Sequence, residues 1–331
     1  MADRQILTNS SLSTFRACPR KFQIQYEMGY RPVKEAEYLS FGKLMHRGIE
    51  VWSKDHKLKD AITAIYDMAE KTAILDEFLV AKAHALMEGY HAKYWDEPYV
   101  MVAVEKQFFA PVLNPETARE SQNFVNSGVL DGLLQKIGSK NYTLKEIKTT
   151  SENIEDPTSD YWLNLQIDSQ VSHYYLGAEA LGFPVETCLY DVCRRPALQP
   201  YKATPLDKRN YKKDGTLYAS QRDRDETVEE FFQRIKLDIE LFPNKYYARR
   251  EVPRLKTDLE DYMEDEWQIA QTIRTFQKKG KFPRYTRSCI SLYGTCPMFP
   301  VCTGRASLED TTLYKKVDSV HQELPKKEMS K

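Results

Sequence analysis

Gly128-Val129-Leu130-Asp131-Gly132 and, a short way downstream, Leu144-Lys145-Glu146-Ile147-Lys148-Thr149-Thr150 decide the reading of this chain. Both stretches read as strands. Glu146 and Lys148 are two apart, so their side chains leave one face while Ile147 points to the other. Between the strands, Lys136-Ile137-Gly138-Ser139-Lys140-Asn141-Tyr142 has the chemistry of a hairpin turn. With the turn centred on Ser139-Lys140, Asp131 lies opposite Lys148 and diagonal to Glu146. That register gathers two carboxylates and an ammonium on one surface, whereas a slip of one residue would send Asp131 to the far side. Upstream, Phe41-Gly42-Lys43-Leu44-Met45-His46 offers an imidazole. Two carboxylates with an imidazole suit a hard divalent cation such as Mg²⁺ or Mn²⁺, and a neighbouring lysine can orient or activate water. These are the parts needed for metal-assisted phosphodiester hydrolysis.

Taken singly, each motif has a plainer reading. Glu-x-Lys on a strand is commonly a solvated face, Asp-Gly a turn and a lone histidine structural. Their order carries more: a helix with Gly42-x-x-x-His46, a strand with Gly128-x-x-Asp131-Gly132, a strand with Glu146-x-Lys148-Thr149-Thr150, then a helix with Gln170-x-x-x-Tyr174. In that order the chain resembles the PD-(D/E)XK nuclease superfamily, and within it the RecB-like branch. The resemblance implies that His46, Asp131 and Glu146 hold the catalytic metal together with the Ile147 carbonyl. It also implies that Lys148 is the motif's lysine and that Gln170 and Tyr174 orient active-site and DNA groups. Gln166, one turn before Gln170, competes for the same role.

Six cysteines, at 18, 188, 193, 289, 296 and 302, extend the resemblance. The start, Met-Ala-Asp-Arg-Gln, does not read as a signal peptide, and no apolar run is long enough to span a bilayer. A reducing, cytoplasmic setting is expected, nucleoid-associated or in a host cell if the chain is phage-encoded. There, clustered cysteines bind metal more often than they pair. Cys289, Cys296 and Cys302 lie in a loop rich in turn residues, and Cys18 is the candidate fourth ligand. One cysteine near the start and three near the end resembles the iron–sulfur staple of AddB-type and CRISPR-associated nucleases, which implies a [4Fe–4S] cluster joining the two ends. Four thiolates suit structural zinc equally, and the spacing alone does not separate the two. The six residues between Cys289 and Cys296 make a longer gap than is usual in these families. Cys188 and Cys193 alternate along a strand onto opposite faces and read as buried small hydrophobes.

Lys plus Arg and Asp plus Glu are each 48, so the 331-residue chain is formally neutral. Neutrality does not exclude nucleic acid, because binding needs a local basic face. From Arg195 to Arg224 eight Lys or Arg meet three Asp, with Tyr201, Tyr211 and Tyr218 between them. Cations for phosphates and rings for bases are the parts of a single-strand groove, though such a stretch also suits a solvated loop. A second basic run, Lys278 to Arg287, leads into the cysteine loop.

The expected architecture is α/β: a restriction-endonuclease-like mixed sheet flanked by helices, with its N- and C-terminal segments joined at the metal cluster. Helices are expected over 12–30, 41–54, 58–96, 161–181, 225–242 and 257–280, and strands over 99–110, 127–137, 141–149 and 185–194. One nuclease domain would span 1–305, with a helical insertion at about 55–97, and 306–331 would form a charged, flexible tail. Two functions follow. One is a DNA nuclease, on single strands or duplex ends, serving recombination, repair, replication or defence. The other is a non-catalytic DNA-binding or scaffold subunit of a helicase–nuclease or CRISPR adaptation complex. The chain has no Gly-x-x-x-x-Gly-Lys-Ser/Thr phosphate loop, so a helicase motor would be a partner protein.

Overall fold

The structure is a computed structural model that describes residues 4–34, 37–291 and 294–325. The chain opens with β1 (Gln5–Leu7) and α1 (Asn9–Ala17). Thr8 caps α1: its hydroxyl accepts from Ser11 N–H at 3.1 Å, and the Ser11 hydroxyl accepts from Thr8 N–H at 2.9 Å. This reciprocal pair satisfies two amides that a helix start leaves open. The helix expected over 12–30 is broken at Cys18, whose backbone is extended, and Pro19 starts α2 (Pro19–Phe22) afresh. After β2 (Tyr30–Pro32) come three helices, α3 (Glu37–Asp55), α4 (Leu58–Lys71) and α5 (Glu77–Tyr94). Asp76 caps α5 by accepting from Phe78 and Leu79 N–H.

The sheet follows: β3 (Tyr99–Leu113), β4 (Glu120–Lys136) and β5 (Tyr142–Thr150), then α6 (Asp160–Asn164), α7 (Ser169–Ala180) and β6 (Val185–Arg194). After the basic loop come α8 (Val228–Leu241), α9 (Pro243–Tyr246), β7 (Tyr247–Val252) and α10 (Lys256–Lys279), which stops at Gly280 in the left-handed conformation. Short pieces close the chain: β8 (Ile290–Ser291), β9 (Gly294–Thr295), α11 (Phe299–Cys302) and β10 (Tyr314–Lys316).

β1, β4, β5, β6 and β7 form one mixed sheet, with β3 added on β4. β3 takes one edge of β4. The other edge is shared: β1 pairs in parallel with Phe124–Asn126, and β5 pairs antiparallel with Gly132–Gln135. The strand between these pairings, residues 127–131, is left open on that edge, and Gly128, Val129 and Asp131 within it line an open cleft.

Two cores sandwich the sheet. On one face α3, α4, α5 and α8 bury Phe41, Trp52, Leu86, Phe231 and Ile235, with Ile147 from the sheet. On the other, α7 buries Val171, Tyr174 and Tyr175 against Phe108, Leu144 and Tyr190. α7 comes close because Gly177 leaves room: a Cβ there would lie 2.6 Å from the Phe108 ring. Cys188 belongs to the second core and Cys193 to the first, both fully buried, so these two occupy opposite faces as expected.

Three further expectations change. The 161–181 helix is two helices, because Asp168 interrupts it and caps α7 by accepting from Gln170 N–H at 2.8 Å. The hairpin turns one position earlier than the Ser139-Lys140 centre, since Gly132 pairs with Lys145. Asp131 therefore comes across from Glu146 rather than Lys148; the shift preserves strand parity, so the faces are those expected. Finally, the 306–331 stretch is not loose as far as residue 325. β10 pairs with β2, Tyr314 is buried, and Thr8 donates to the Glu323 carboxylate at 2.5 Å. Residues 326–331 lie outside the described residues.

Candidate active-site cleft

An open cleft of about 1270 Å³ lies over the unpaired stretch of β4. It exceeds the roughly 300–1,000 Å³ typical of small-molecule pockets. His46, Asp131, Glu146, Lys148, Gln170 and Tyr174 all line it. α3 lies close against β5 at Gly42: a Cβ there would meet the Thr149 hydroxyl at 3.3 Å, tighter than an ordinary contact, so the threonine side chain would have to shift to admit it. His46 Nδ1 is 3.9 Å from Asp131 Oδ2.

Where β4 and β5 diverge, Asp131 replaces the ladder with its side chain: Ile147 N–H donates to Asp131 Oδ2 at 2.8 Å. Glu146 is 1 % exposed, and Lys148 Nζ lies 2.6 Å from its Oε1. That contact is poorly aligned for a hydrogen bond, and Oε2 has no partner at all. Lys148 spends its aligned donor on Gln170 Oε1 at 2.6 Å, and Gln170 Nε2 donates to Tyr174 Oη at 3.0 Å. Gln166, the competing glutamine, is exposed in the turn Leu165–Ile167, so Gln170 is the one that reaches the lysine.

Burial, opposed by Lys148 and the Ile147 amide, pushes the Asp131 carboxyl up to about 6. Burial and the Asp131 charge push Glu146 to about 7. Burial alone would lower Lys148, but Glu146 and Asp131 hold its ammonium above the ordinary lysine value. His46 is lowered by burial and by Lys148, which favours the neutral imidazole. A buried carboxylate with an unpartnered oxygen is costly unless a cation meets it. The donor types, carboxylate oxygens with a neutral imidazole and a strand carbonyl at Ile147, suit a hard divalent ion, although no three His, Cys, Asp or Glu side chains among the described residues are drawn together closely enough to hold one.

One group in the cleft was not legible in the sequence. Glu105, on β3, also lines it. Its backbone is left-handed in mid-strand, φ +49°, and although the residue is exposed, partial burial of the carboxyl, then Asp131 and Glu50, raise it above the ordinary glutamate value. In the sequence it is one charged residue in an alternating strand, and nothing in that pattern marks it.

The four cysteines expected to bind a cluster lie where the two ends of the chain meet. Ser288 donates to the Ala17 carbonyl at 2.6 Å, Arg20 N–H to Pro283 at 3.0 Å, and Arg284 to the Cys302 carbonyl at 2.7 Å. Burial raises the Cys302 thiol, and Cys18, Cys296 and Cys289 lie near enough to act on it. Even so, no set of three or more His, Cys, Asp or Glu among the described residues is drawn together closely enough to hold a metal. The cluster expected at this junction is thus not supported by the side-chain arrangement; the ends are joined by these hydrogen bonds and by apolar packing such as Phe22 against Phe282.

In the basic loop, Arg209 donates to the Thr204 and Asp223 carbonyls, and Arg224 forms a two-pronged pair with Glu230. Arg234 and Arg222 lie over the Tyr201 ring, at 4.0 and 5.4 Å from its centroid. These groups hold the loop in shape, while Lys208, Lys212 and Lys213 are exposed. No helix among the described residues is long and apolar enough to cross a membrane.

A sequence profile for the PD-(D/E)XK nuclease superfamily matches residues 6–303. A solved structure from Eubacterium rectale, provisionally assigned as an exonuclease, is similar over 96 % of this chain and 91 % of that one, at 9 % identity and a TM-score of 0.47. No curated protein matches at comparable significance.

Proposed function

Since the chain belongs to the PD-(D/E)XK nuclease superfamily, we propose that it is a Mg²⁺- or Mn²⁺-dependent deoxyribonuclease acting on single strands or duplex ends. The observation that carries this reading is Glu146, a residue lining the open cleft whose buried carboxylate lies near the charge of Asp131 and has no aligned hydrogen-bond partner. His46, Asp131, Glu146 and the Ile147 carbonyl would hold the cation. When bound, it would supply Lewis-acid polarisation of the phosphodiester.

The chain's own groups do the rest. Ile147 N–H orients Asp131, and Gln170 anchors Lys148 beside Glu146. Tyr174 fixes Gln170 from below. An ammonium held this way can orient a water or neutralise charge developing on the phosphate. The test is a digestion panel of end-labelled single-stranded, duplex and circular DNA with Mg²⁺ or Mn²⁺. Cleavage of linear but not circular DNA supports an end-directed enzyme. DNA binding without cleavage in either metal would favour the scaffold reading.

Residues 1–305 are read as one nuclease unit, with α4 and α5 as its helical insertion; what supports this is the core that these helices share with α3 and α8. A reducing, cytoplasmic setting belongs to the same reading. DNA would reach the cleft past the basic loop. Replacing Lys208, Lys212 and Lys213 together is expected to flatten the salt dependence of DNA binding, by roughly 0.7 log units for each single-strand phosphate that is no longer neutralised. Titrations at several salt concentrations with a cleavage-dead variant check this; an unchanged slope would remove the loop from the DNA path.

For the cysteines we carry the metal staple as a proposal: Cys18, Cys289 and Cys296 all lie near enough to Cys302 to act on it, at the junction of the chain ends, though not drawn together as a cluster would hold them. Anaerobically purified protein is expected to be brown, with about four iron atoms per chain for a four-thiolate cluster. Colour should be lost on Cys18→Ala and kept on Cys188→Ala. Colourless protein holding one zinc would replace iron with zinc, and metal-free protein of full stability would remove the staple.

A further inference from the structure

β4 and β5 part at Gly132 and Lys145, the last residues they pair. Beyond that point β4 leads back through Asp131 to Ser127 and β5 leads on to Thr150, so the cleft is a wedge that widens away from the hairpin. β1 ends with Leu7 beside Asn126, which puts Thr8 at one side of the wedge's mouth and Thr150 at the other. The two rims differ in charge. On the Thr150 side the cleft is lined by Lys43 from α3, Lys71 at the end of α4 and Arg195 just past β6, against one carboxylate, Glu152. Arg195 N–H donates to the Thr150 carbonyl at 2.8 Å, so the backbone fixes that residue to the rim. On the Thr8 side the lining is uncharged at Thr8, Asn9, Ser10 and Gln322, with a single charge, Glu323, and no cation among the described residues.

Glu323 is held in place by a built strap. β10 pairs with β2, Val317 N–H donates to the Gly29 carbonyl at 2.9 Å, and Arg31 donates to the Val320 carbonyl at 2.6 Å. The His321 ring lies against Tyr26, with centroids 5.4 Å apart, and Thr8 donates to the Glu323 carboxylate at 2.5 Å. Burial works against the Glu323 charge, but hydrogen bonds from His321 and Thr8 hold its carboxyl below the ordinary glutamate value. It is therefore an anion at neutral pH. The phosphates of one strand meet cations on the Thr150 rim. A duplex would bring a second row of phosphates toward Glu323, where like charge repels it and no counter-charge receives it.

We propose that Glu323 is a strand-selecting residue, which turns the second strand of a duplex away and leaves the cleft to a single strand. The proposal rests on the reading that this cleft takes DNA, and narrows its substrate to single strands.

The test compares wild type, Glu323→Gln and Glu323→Lys as full chains. A labelled oligonucleotide, single-stranded or in a blunt duplex, is titrated by fluorescence anisotropy without divalent metal, and cleavage in Mn²⁺ is followed separately. Glutamine keeps an oxygen that accepts from Thr8, so the charge is removed and the strap retained. Wild type should favour the single strand. That preference should shrink about fivefold in Glu323→Gln and about 25-fold in Glu323→Lys, the scale of one and two unit charges acting near a phosphate through water. Raising the salt to about 0.3 M shortens the screening length below its ~8 Å at physiological salt, and the three proteins should draw together. A structural role for Glu323 would weaken both forms alike and would not fade with salt. A preference equal in all three proteins, or a change that is the same at every salt, therefore overturns the proposal. So does a wild type that favours duplex. A wild type that cleaves DNA without preference overturns this proposal alone. One that selects single strands through Glu323 but cleaves nothing supports it and removes the nuclease reading. A wild type that neither binds nor cleaves DNA overturns both.

Discussion

Asp131→Asn and Glu146→Gln are each expected to cut metal-dependent DNA cleavage by about 10³-fold or more, on the scale at which one charge-stabilising group at a reaction centre is felt. The substitutions are chosen for the structure. Asparagine can still accept from Ile147 N–H through its side-chain oxygen, so the seam between β4 and β5 survives, whereas alanine would orphan that amide. Glutamine removes the Glu146 charge without leaving a hole where only 1 % of the side chain is exposed. The unfolding midpoint should hold or rise in Glu146→Gln, because a buried, incompletely paired carboxylate costs stability that a neutral amide does not. The check is cleavage rate measured together with unfolding on the same preparations. Near-normal cleavage by Asp131→Asn would sink the catalytic assignment, whereas lost cleavage with lost folding would call for the comparison with Lys148→Met.

The second large effect is expected on the opposite face of the sheet. Asp191 is fully buried, 3.3 Å from Lys145 Nζ and 2.9 Å from Arg249, with Tyr90 donating to it at 2.5 Å. Burial works against its charge, but Arg249 and Lys145 outweigh it and hold the carboxyl below the ordinary aspartate range. Removing one member of a buried charge group strands the others, at about 3–5 kcal/mol. Asp191→Asn is therefore expected to destabilise by that order in urea or heat.

The pH dependence has a definite sign. In wild type, Asp191 has a depressed pKa, so its contribution is complete above the unfolded value near 4 and is lost only as pH falls through the lower folded value. Neutral pH should show none of it. In the variant, Lys145, already lowered by burial, loses its main counter-charge. The unfolded chain then binds more protons than the folded one over a wide range, and stability should climb as pH rises. A variant within 1 kcal/mol of wild type at every pH, about the effect of an ordinary substitution, would show that the group is dispensable.

Asp131, Glu146 and Lys148 could be read because strand alternation fixes which side chains share a face, and a two-residue change in register preserves that relation. The register itself was not legible, since several residues between Lys136 and Tyr142 can make the turn. Gln170 was separable from Gln166 only once Asp168 was seen to break the helix between them. β1 is three residues long and β7 reads Tyr-Ala-Arg-Arg-Glu-Val, so neither gives a clear apolar period. The Lys145–Asp191–Arg249 group was hidden for a different reason: charge in a strand suggests solvent, and only packing from α3 and α5 reveals that it is enclosed. Glu105 depends on one backbone angle, which residue type does not encode.

The stretch of β4 that opens the cleft pairs with β3 on one side only and leaves its other edge without a strand, the kind of edge on which sheets of separate molecules join. Only five positions, 127–131, are bare, because β1 covers Phe124–Asn126. A strand that short gives a stranger little to hold. Were β1 clipped away, the bare run would lengthen to a full strand's worth of ladder. The three residues Gln5–Leu7 are in this sense a guard, and their loss would first be noticed as clumping rather than as a change in what the cleft can cut.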